Sequence, residues 1–129
     1  MTEIGDVIRR DLIMLDCEST VADACKIMGE KHIGSVIITQ NERPWAIFTE
    51  RDLLSRVLMN DVDIKTAKIK DYASSPLVTI TPDTKTREAA RIMSDLKIKR
   101  LLVIENNQII GIFTASDLAD VLSKSPLDF

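Results

Sequence analysis

The sequence contains one segment twice. When the chain is shifted by 65 residues against itself, its first half aligns with its second without a gap, and the best match joins residues 47–53 to 112–118. Two copies are too few for a solenoid, which stacks more units than this. We therefore expect two similar halves, 1–65 and 66–129, that bury their apolar faces against each other about an approximate two-fold axis.

The composition is that of a folded globular protein. The chain has 129 residues, 45% of them apolar, which suits one compact fold with a substantial core. No apolar run is long enough to span a membrane, and the N-terminus lacks the apolar stretch of a signal peptide, so we expect a cytoplasmic protein without membrane contact. The net charge of −3 argues against nucleic-acid binding, which requires a basic face.

The hydrophobic pattern predicts the same order of elements, β-α-β-β-α, in each half. The predicted fold class is therefore α/β (α+β), with two such repeats packed sheet to sheet. In the first half we expect a strand at 12–15, a helix from Val21, strands at 35–39 and 45–48, and a helix opening at Thr49. In the second half we expect a strand at 77–80, a helix at 84–97, strands at 101–104 and 109–113, and a helix at 115–123.

Two further segments are predicted to lie outside these elements. Residues 60–70 are polar and are interpreted as a linker between the repeats. Residues 123–129 contain Pro126, Leu127 and Phe129, so this tail is expected to dock on the body of the protein or on a partner.

Catalysis and metal binding find little support in the sequence. Cys17 and Cys25 have no histidine partners nearby, so they form neither a metal cage nor a disulfide framework, and Cys25 is expected to be a small buried residue. His32, the single histidine, stands alone at a predicted helix end. We therefore expect no enzyme, no metal site and no catalytic cofactor.

One motif carries chemistry, and it occurs in both copies. Thr49 and Asp52, like Thr114 and Asp117, stand where a strand ends and a helix begins. This Thr-x-x-Asp spacing is typical of a capping box, in which the two side chains satisfy free amides of the first helical turn. The same atoms suit a nucleotide, because a helix N-terminus attracts phosphate and a carboxylate accepts ribose hydroxyls. Both interpretations remain open.

These residues resemble a known family. Gly-Ile-Phe-Thr-x-x-Asp at 111–117, Ala-Ile-Phe-Thr-Glu-Arg-Asp at 46–52, Ile-Gly-Ser-Val at 33–36 and Thr-Pro-Asp-Thr at 81–84 are similar to a tandem pair of CBS motifs, the Bateman module, here standing alone. The resemblance covers nearly the whole chain. Its one departure is Ala46, which replaces the usual glycine.

The resemblance implies a sensor that binds an adenosine nucleotide in two clefts at the repeat interface. In that family the aspartate holds ribose, the threonine contacts phosphate, and the backbone of the early strand reads the adenine edge. Transferred by position, the first site would use Thr49, Arg51 and Asp52 with the backbone around Met14, and the second Thr114 and Asp117 with Thr79 and Ile80. Lys99 and Arg100 replace Gly34 and Ser35 of the first copy, either as phosphate partners or as a solvated helix end.

Two functions therefore remain open. One is a regulatory module that senses AMP, ADP or ATP, or a relative such as S-adenosylmethionine, NAD or a cyclic dinucleotide. The other is an interaction scaffold in which the Thr-x-x-Asp boxes only cap helices. In either case the expected partners are a second copy of the chain, paired through apolar helix faces near 53–58 and 118–122, and a regulated protein that the sequence does not name.

Overall fold

The fold consists of two compact units with the same architecture. The computed structural model describes residues 2–8, 12–74 and 77–124. Residues 13–74 and 77 form one unit, here called the first-repeat unit, and residues 2–8, 12 and 78–124 form the second-repeat unit. Each contains the predicted order β-α-β-β-α, so the mixed α/β class and the repeated unit are confirmed.

The first-repeat unit is a three-stranded sheet with strand order β1-β2-β3 and helices on its connections. Strand β1 is parallel to β2, and β2 is antiparallel to β3. The elements are β1 (Met14–Asp16), α1 (Val21–Lys31), β2 (Ser35–Gln40), β3 (Arg43–Thr49) and α2 (Glu50–Asp52), which continues as a π-helical turn (Leu53–Val57) and a 3-10 turn (Leu58–Asn60).

The second-repeat unit repeats this topology with strand order β4-β5-β6. Its elements are β4 (Thr79–Ile80), α3 (Thr86–Leu96), β5 (Arg100–Glu105), β6 (Gln108–Thr114) and α4 (Ala115–Lys124). Compared with the predicted bounds, β1, β4 and α3 each begin two residues later. The final helix differs between the repeats, because α4 is a regular α-helix whereas α2 passes into a π turn, which the apolar pattern did not predict.

The hairpins show that the repeat extends to backbone conformation. Asn41 and Glu42 have φ values of 52° and 64°, and their counterparts Asn106 and Asn107 have 53° and 63°. Two consecutive positive φ values are the signature of a type I′ turn, whose twist matches that of the flanking strands. Strand pairing therefore reaches closer to the turn than predicted, and Arg43 belongs to β3 rather than to the turn.

Each helix packs its apolar stripe on one face of its own sheet. In the first-repeat unit Val21 and Ala24 of α1 are fully buried, and so is Phe48 of β3; in the second-repeat unit Ala89 of α3 and Phe113 of β6 take the equivalent places. Burial of such side chains contributes about 1.5–3 kcal/mol each for the larger ones. The two cores therefore use the same positions of the repeat.

The residues that open each half of the sequence pack into the core formed by the other half. The amide of Ile4 donates to the carbonyl of Thr84 at 2.8 Å, and the amide of Ile69, its counterpart, donates to Ser19 at 2.8 Å. Both isoleucines are fully buried. The interpretation of residues 60–70 as a linker is therefore wrong, since this segment closes the first-repeat core with Val62, Ile64, Ala67 and Ile69.

Candidate functional site

The two Thr-x-x-Asp motifs form the predicted capping boxes at the junctions of β3 with α2 and of β6 with α4. Asp52 Oδ2 accepts from the amide of Thr49 at 3.0 Å and from its hydroxyl at 3.1 Å, and the Asp52 amide donates to Thr49 Oγ1 at 3.2 Å. The corresponding distances between Thr114 and Asp117 are 2.8, 3.0 and 3.2 Å. The capping interpretation is therefore confirmed at both positions.

A third box stands at the start of α1 and provides a reference. Asp23 Oδ2 accepts from the amide of Thr20 at 3.0 Å, and the Asp23 amide donates to Thr20 Oγ1 at 3.1 Å. The Thr20 amide and hydroxyl hold the pKa of the Asp23 carboxyl below its ordinary value. This box is exposed and has no resemblance to a nucleotide motif, so it separates the effect of capping from any effect of a ligand.

The carboxylate of Asp52 is held by more than its own box. It is only 6% exposed, and its second oxygen, Oδ1, accepts from the Ser74 hydroxyl at 3.0 Å and lies 3.6 Å from Arg56 Nε. Ser74 is fixed in turn by a two-way backbone bridge to Ile47. The sequence reasoning missed both residues. Arg56 could have been found from its i, i+4 spacing to Asp52, but Ser74 lies 22 positions away without a local signal.

The other predicted residues of the first site lie at the same sheet edge or near it. Ser35 is paired in register with Thr49, and the carbonyl of Gly34 accepts from the Glu50 amide at 3.1 Å. Met14 is paired with Ile37 on the adjacent strand and is 42% exposed. Arg51 lies within the box, between Thr49 and Asp52, and is exposed.

In the second-repeat unit the equivalent edge is basic. Arg100 is paired in register with Thr114, and the Lys99 carbonyl accepts from the Ala115 amide at 2.9 Å. Two cationic side chains are therefore attached to the backbone directly beside the box. Thr79, exposed, and Ile80, buried, lie on β4 opposite Leu102 and Val103.

Ala46, the departure from the usual glycine, is fully buried in the first-repeat core opposite Ile38. Its methyl group is therefore packed as part of that core, whereas the second repeat has Gly111 at this position.

The cysteine and histidine side chains are the other candidates for reactive groups. Cys17 is buried, and Cys25 is partly buried and packs against the first-repeat core; this burial raises the pKa of the Cys25 thiol. His32 is exposed and ends α1 with a left-handed φ of 54°. Among residues 2–8, 12–74 and 77–124, no group of three His, Cys, Asp or Glu side chains could hold a metal ion.

In the described part of the chain, no helix combines the length and the apolar character needed to cross a bilayer. The predicted apolar tail at 123–129 lies largely outside the described residues, which end at 124.

Two copies of a β-α-β-β-α unit, each with a Thr–Asp box where its last strand meets its last helix, define a tandem-repeat α/β module. The model of the CBS domain matches residues 4–59 and 69–124. The chain therefore belongs to the CBS-domain family. The two matches begin at Ile4 and at Ile69, which are both fully buried.

Relatives of known sequence support this assignment. The chain is 34% identical over 120 residues to an uncharacterized protein of Methanopyrus kandleri, covering 92% of this chain and 61% of that one. It is 30% identical over 106 residues to a mitochondrial CBS domain-containing protein of Arabidopsis thaliana, covering 78% of this chain and 52% of that one. The chain thus spans only about half to three fifths of these two curated relatives.

Solved structures share the fold. A proposed signal-transduction protein with CBS domains from Burkholderia ambifaria superposes with a TM-score of 0.91 at 22% identity, with 96% of each chain covered. A hexameric CBS-CP12 protein from bloom-forming cyanobacteria superposes with a TM-score of 0.87 at 26% identity, with 96% of this chain and 71% of that chain covered.

Proposed function

We propose that this chain is a regulatory module that senses an adenosine nucleotide, AMP, ADP or ATP. The observation that carries the proposal is the repeated sheet edge. In both units a Thr–Asp box is paired in register with the start of the neighbouring strand, Ser35 opposite Thr49 and Arg100 opposite Thr114. The same strand pairing thus places polar groups that suit phosphate and ribose at the sheet edge of each unit.

Each group has a role that follows from its chemistry. The carboxylates of Asp52 and Asp117 accept hydrogen bonds from ribose hydroxyls. Thr49 and Thr114 contact phosphate. Thr114 stands at the start of the ten-residue helix α4, whose first amides favour an anion.

The remaining predicted residues complete the two sites. Arg51 in one unit and Lys99 and Arg100 in the other supply positive charge for phosphate, against a net charge of −3 for the whole chain. The backbone at Met14 and at Thr79–Ile80 presents donors and acceptors to the adenine edge. No catalytic step is assigned, since the proposed output is a change of shape or of affinity for a regulated protein.

A thermal-shift screen tests the proposal. The ligands are AMP, ADP, ATP, NAD, S-adenosylmethionine and cyclic dinucleotides. A ligand present at about 100 times its dissociation constant stabilises the fold by about 2.7 kcal/mol, which raises the melting temperature by roughly 5–12 °C for a chain of this size. A shift with AMP, ADP or ATP supports the proposal. No shift with any adenosine compound contradicts it.

The matched control separates binding from capping. Asp52→Ala, Asp117→Ala and Asp23→Ala each remove the carboxylate of a capping box and should each lower the stability of the ligand-free protein by at least about 1 kcal/mol, and Asp52→Ala also loses the hydrogen bond from Ser74. We expect the first two to reduce the nucleotide-induced shift and Asp23→Ala to leave it unchanged. Equal loss of the shift in all three variants would indicate a stability effect without a binding role.

One observation favours an interaction scaffold as the second candidate. The box atoms are already satisfied within the protein, and the buried Asp52 carboxylate also has Ser74 and Arg56 as partners. If no ligand shifts the wild-type protein while the three carboxylate variants lose stability alike, the boxes act as caps and the scaffold is the better account.

We also propose a homodimer. Leu54, Leu58 and Met59 follow Asp52 along the helical segment and are 59%, 51% and 78% exposed. Such a patch of large apolar side chains favours association, and the cyanobacterial relative is hexameric. Sedimentation velocity at a protein concentration on the order of tens of micromolar should show a dimer. Leu58→Glu should convert this dimer to a monomer. A wild-type protein that sediments only as monomer would exclude this pairing.

A further inference from the structure

The contacts of Asp52 assign a function to Ser74 and Arg56. A carboxylate offers about four acceptor positions. Three of them accept hydrogen bonds from the amide and hydroxyl of Thr49 and from the hydroxyl of Ser74, and Arg56 Nε lies at an ion-pair distance of 3.6 Å from Oδ1. A ribose diol donates two hydrogen bonds, so to bind this carboxylate with both hydroxyls it must displace at least one donor already present.

The donors differ in how readily they leave. The Thr49 amide and hydroxyl belong to the capping box and are tied to Asp52 by a separation of three residues. Arg56 is half exposed, with 50% side-chain accessibility, and lies at the long distance of 3.6 Å. Ser74 is a neutral donor on a short extended segment. Ser74 and Arg56 are therefore the donors that a ligand displaces at lowest cost.

Ser74 and Arg56 also anchor one stretch of backbone. The Ser74 amide donates to the Ile47 carbonyl at 2.8 Å, and the Ile47 amide donates to the Ser74 carbonyl at 3.0 Å. Arg56 Nη1 donates to the carbonyl of Ala73 at 3.3 Å. The segment 73–74 is thus fixed to β3 on one side and to the Asp52–Arg56 pair on the other.

The helical part of this arrangement differs between the repeats. The position equivalent to Arg56 in the second repeat is Val121, which is buried and carries no charge. The irregular helical geometry is also specific to the first copy, because Arg56 lies in the π-helical turn Leu53–Val57 whereas α4 is regular. The capping boxes are alike, but the residue four positions after the aspartate is charged in the first copy and apolar in the second.

We propose that Ser74 and Arg56 form a displaceable clamp on Asp52, through which occupation of the first site releases segment 73–74. This proposal rests on the proposed function, since it takes ribose as the group that displaces the clamp. The segment precedes the strand β4 in sequence. Ligand binding at Asp52 is thereby converted into a change in the chain that leads to the second-repeat unit.

The test measures binding and backbone protection at the first site alone. In the Asp117→Ala background, AMP and ATP are titrated by calorimetry, and amide hydrogen exchange at Ile47 and Ser74 is followed with and without nucleotide. We expect nucleotide to reduce the protection of both amides. Adding Ser74→Ala should tighten nucleotide binding about three- to tenfold, because a competing hydrogen bond to a charged group is removed.

Ser55→Ala is the matched control. It removes a hydroxyl on the same helical segment, one that donates its hydrogen bond to the Arg51 carbonyl at 2.7 Å and not to Asp52. We expect unchanged nucleotide affinity and unchanged protection at Ile47.

The possible failures are distinguishable. If the wild-type protein binds neither AMP nor ATP, the proposed function fails and the clamp fails with it. If the wild type binds nucleotide but the Asp117→Ala protein does not, or if Ser74→Ala leaves affinity unchanged or weakens it, or if the two amides keep their protection, the clamp is refuted while nucleotide sensing stands.

Discussion

Replacing Thr86 with valine should stabilise the protein, because a buried hydroxyl would be removed from a site built for an apolar group. Thr86 is the first residue of α3 and is fully buried. Its Oγ1 has no hydrogen-bond partner among the described residues. The equivalent residue of the first repeat is Val21, which is also fully buried and opens α1. The repeat thus offers the same packing position with and without the hydroxyl.

The expected magnitude follows from the two groups exchanged. A buried polar group without a partner costs about 1–3 kcal/mol, and burying an additional methyl group contributes about 0.8 kcal/mol. Both side chains are β-branched, so the rotamer entropy and the helix propensity change little. We expect Thr86→Val to increase the free energy of unfolding by about 2–4 kcal/mol and to raise the melting temperature by roughly 6–16 °C.

Urea denaturation followed by circular dichroism measures this change, with the slope of the transition as a check that the unfolded state is unaltered. The reciprocal substitution Val21→Thr is the control and should destabilise the protein by a similar amount. A Thr86→Val protein that is equally stable or less stable would show that the hydroxyl has a partner, and it would refute the assignment of an unsatisfied group at this position.

Three further predictions follow from single features of the fold. Asp23→Asn should destabilise the protein at neutral pH. The difference in stability from the wild type should shrink as pH falls through the lowered pKa of the Asp23 carboxyl, and thermal melts across about pH 2–7 would measure it. A stability difference that is constant with pH would contradict the capping assignment. Gly29→Ala should stabilise the protein by about 0.5–1 kcal/mol, because Gly29 is on the exposed face of α1 and nothing lies within 4 Å of the new methyl group. Gly5→Ala should destabilise the protein, because its methyl group would lie 3.1 Å from Pro82 Cβ and 3.2 Å from Pro82 O. Equal chemical-denaturation midpoints for the two variants would refute this contrast. Residues 66–129 alone should be unfolded or self-associated by circular dichroism and sedimentation, since they lack the buried Ile4; a folded monomer would overturn this.

The parts of the fold that were predicted are those fixed by contacts close in sequence. Asn41-Glu42 and Asn106-Asn107 close hairpins between two short apolar strands, and a tight turn depends only on residues close in sequence. The Thr-x-x-Asp boxes are likewise local, because donor and acceptor are three residues apart. Such features leave a pattern in a single stretch of sequence, and the 65-residue repeat showed each pattern twice.

The parts that were missed depend on contacts distant in sequence. The opening residues of the first half pack with the second half, where the amide of Ile4 donates to the carbonyl of Thr84. Any residue can make such a backbone hydrogen bond, so the amino-acid sequence does not indicate it. The polar character of 60–70 concealed the buried Ile69, although its match with Ile4 in the repeat was a usable indication. The π turn after Asp52 has no known local signal in this chain, and it places Arg56 in the clamp.

The candidate site was predicted in part for the same reason. The residues named for the first site lie at or near one sheet edge because strand register brings Ser35 to Thr49. Ser74 was missed, because its hydroxyl reaches Asp52 only after the segment 73–74 has paired with β3. The local boxes were therefore predictable, whereas the partners of their carboxylates required the folded chain.

Calorimetric titration of AMP, ADP and ATP into the wild-type protein, the Asp52→Ala/Asp117→Ala double variant and the Asp23→Ala variant tests the central claim most directly. The ribose contact is a hydrogen bond to a charged group, worth about 1.5–3 kcal/mol at each site, so each altered site should lose roughly 10- to 150-fold in affinity. We predict binding to the wild type and to Asp23→Ala with equal affinity, and loss of measurable binding in the double variant. Undiminished binding by the double variant, or absence of binding by the wild type, would contradict nucleotide sensing through the Thr–Asp boxes.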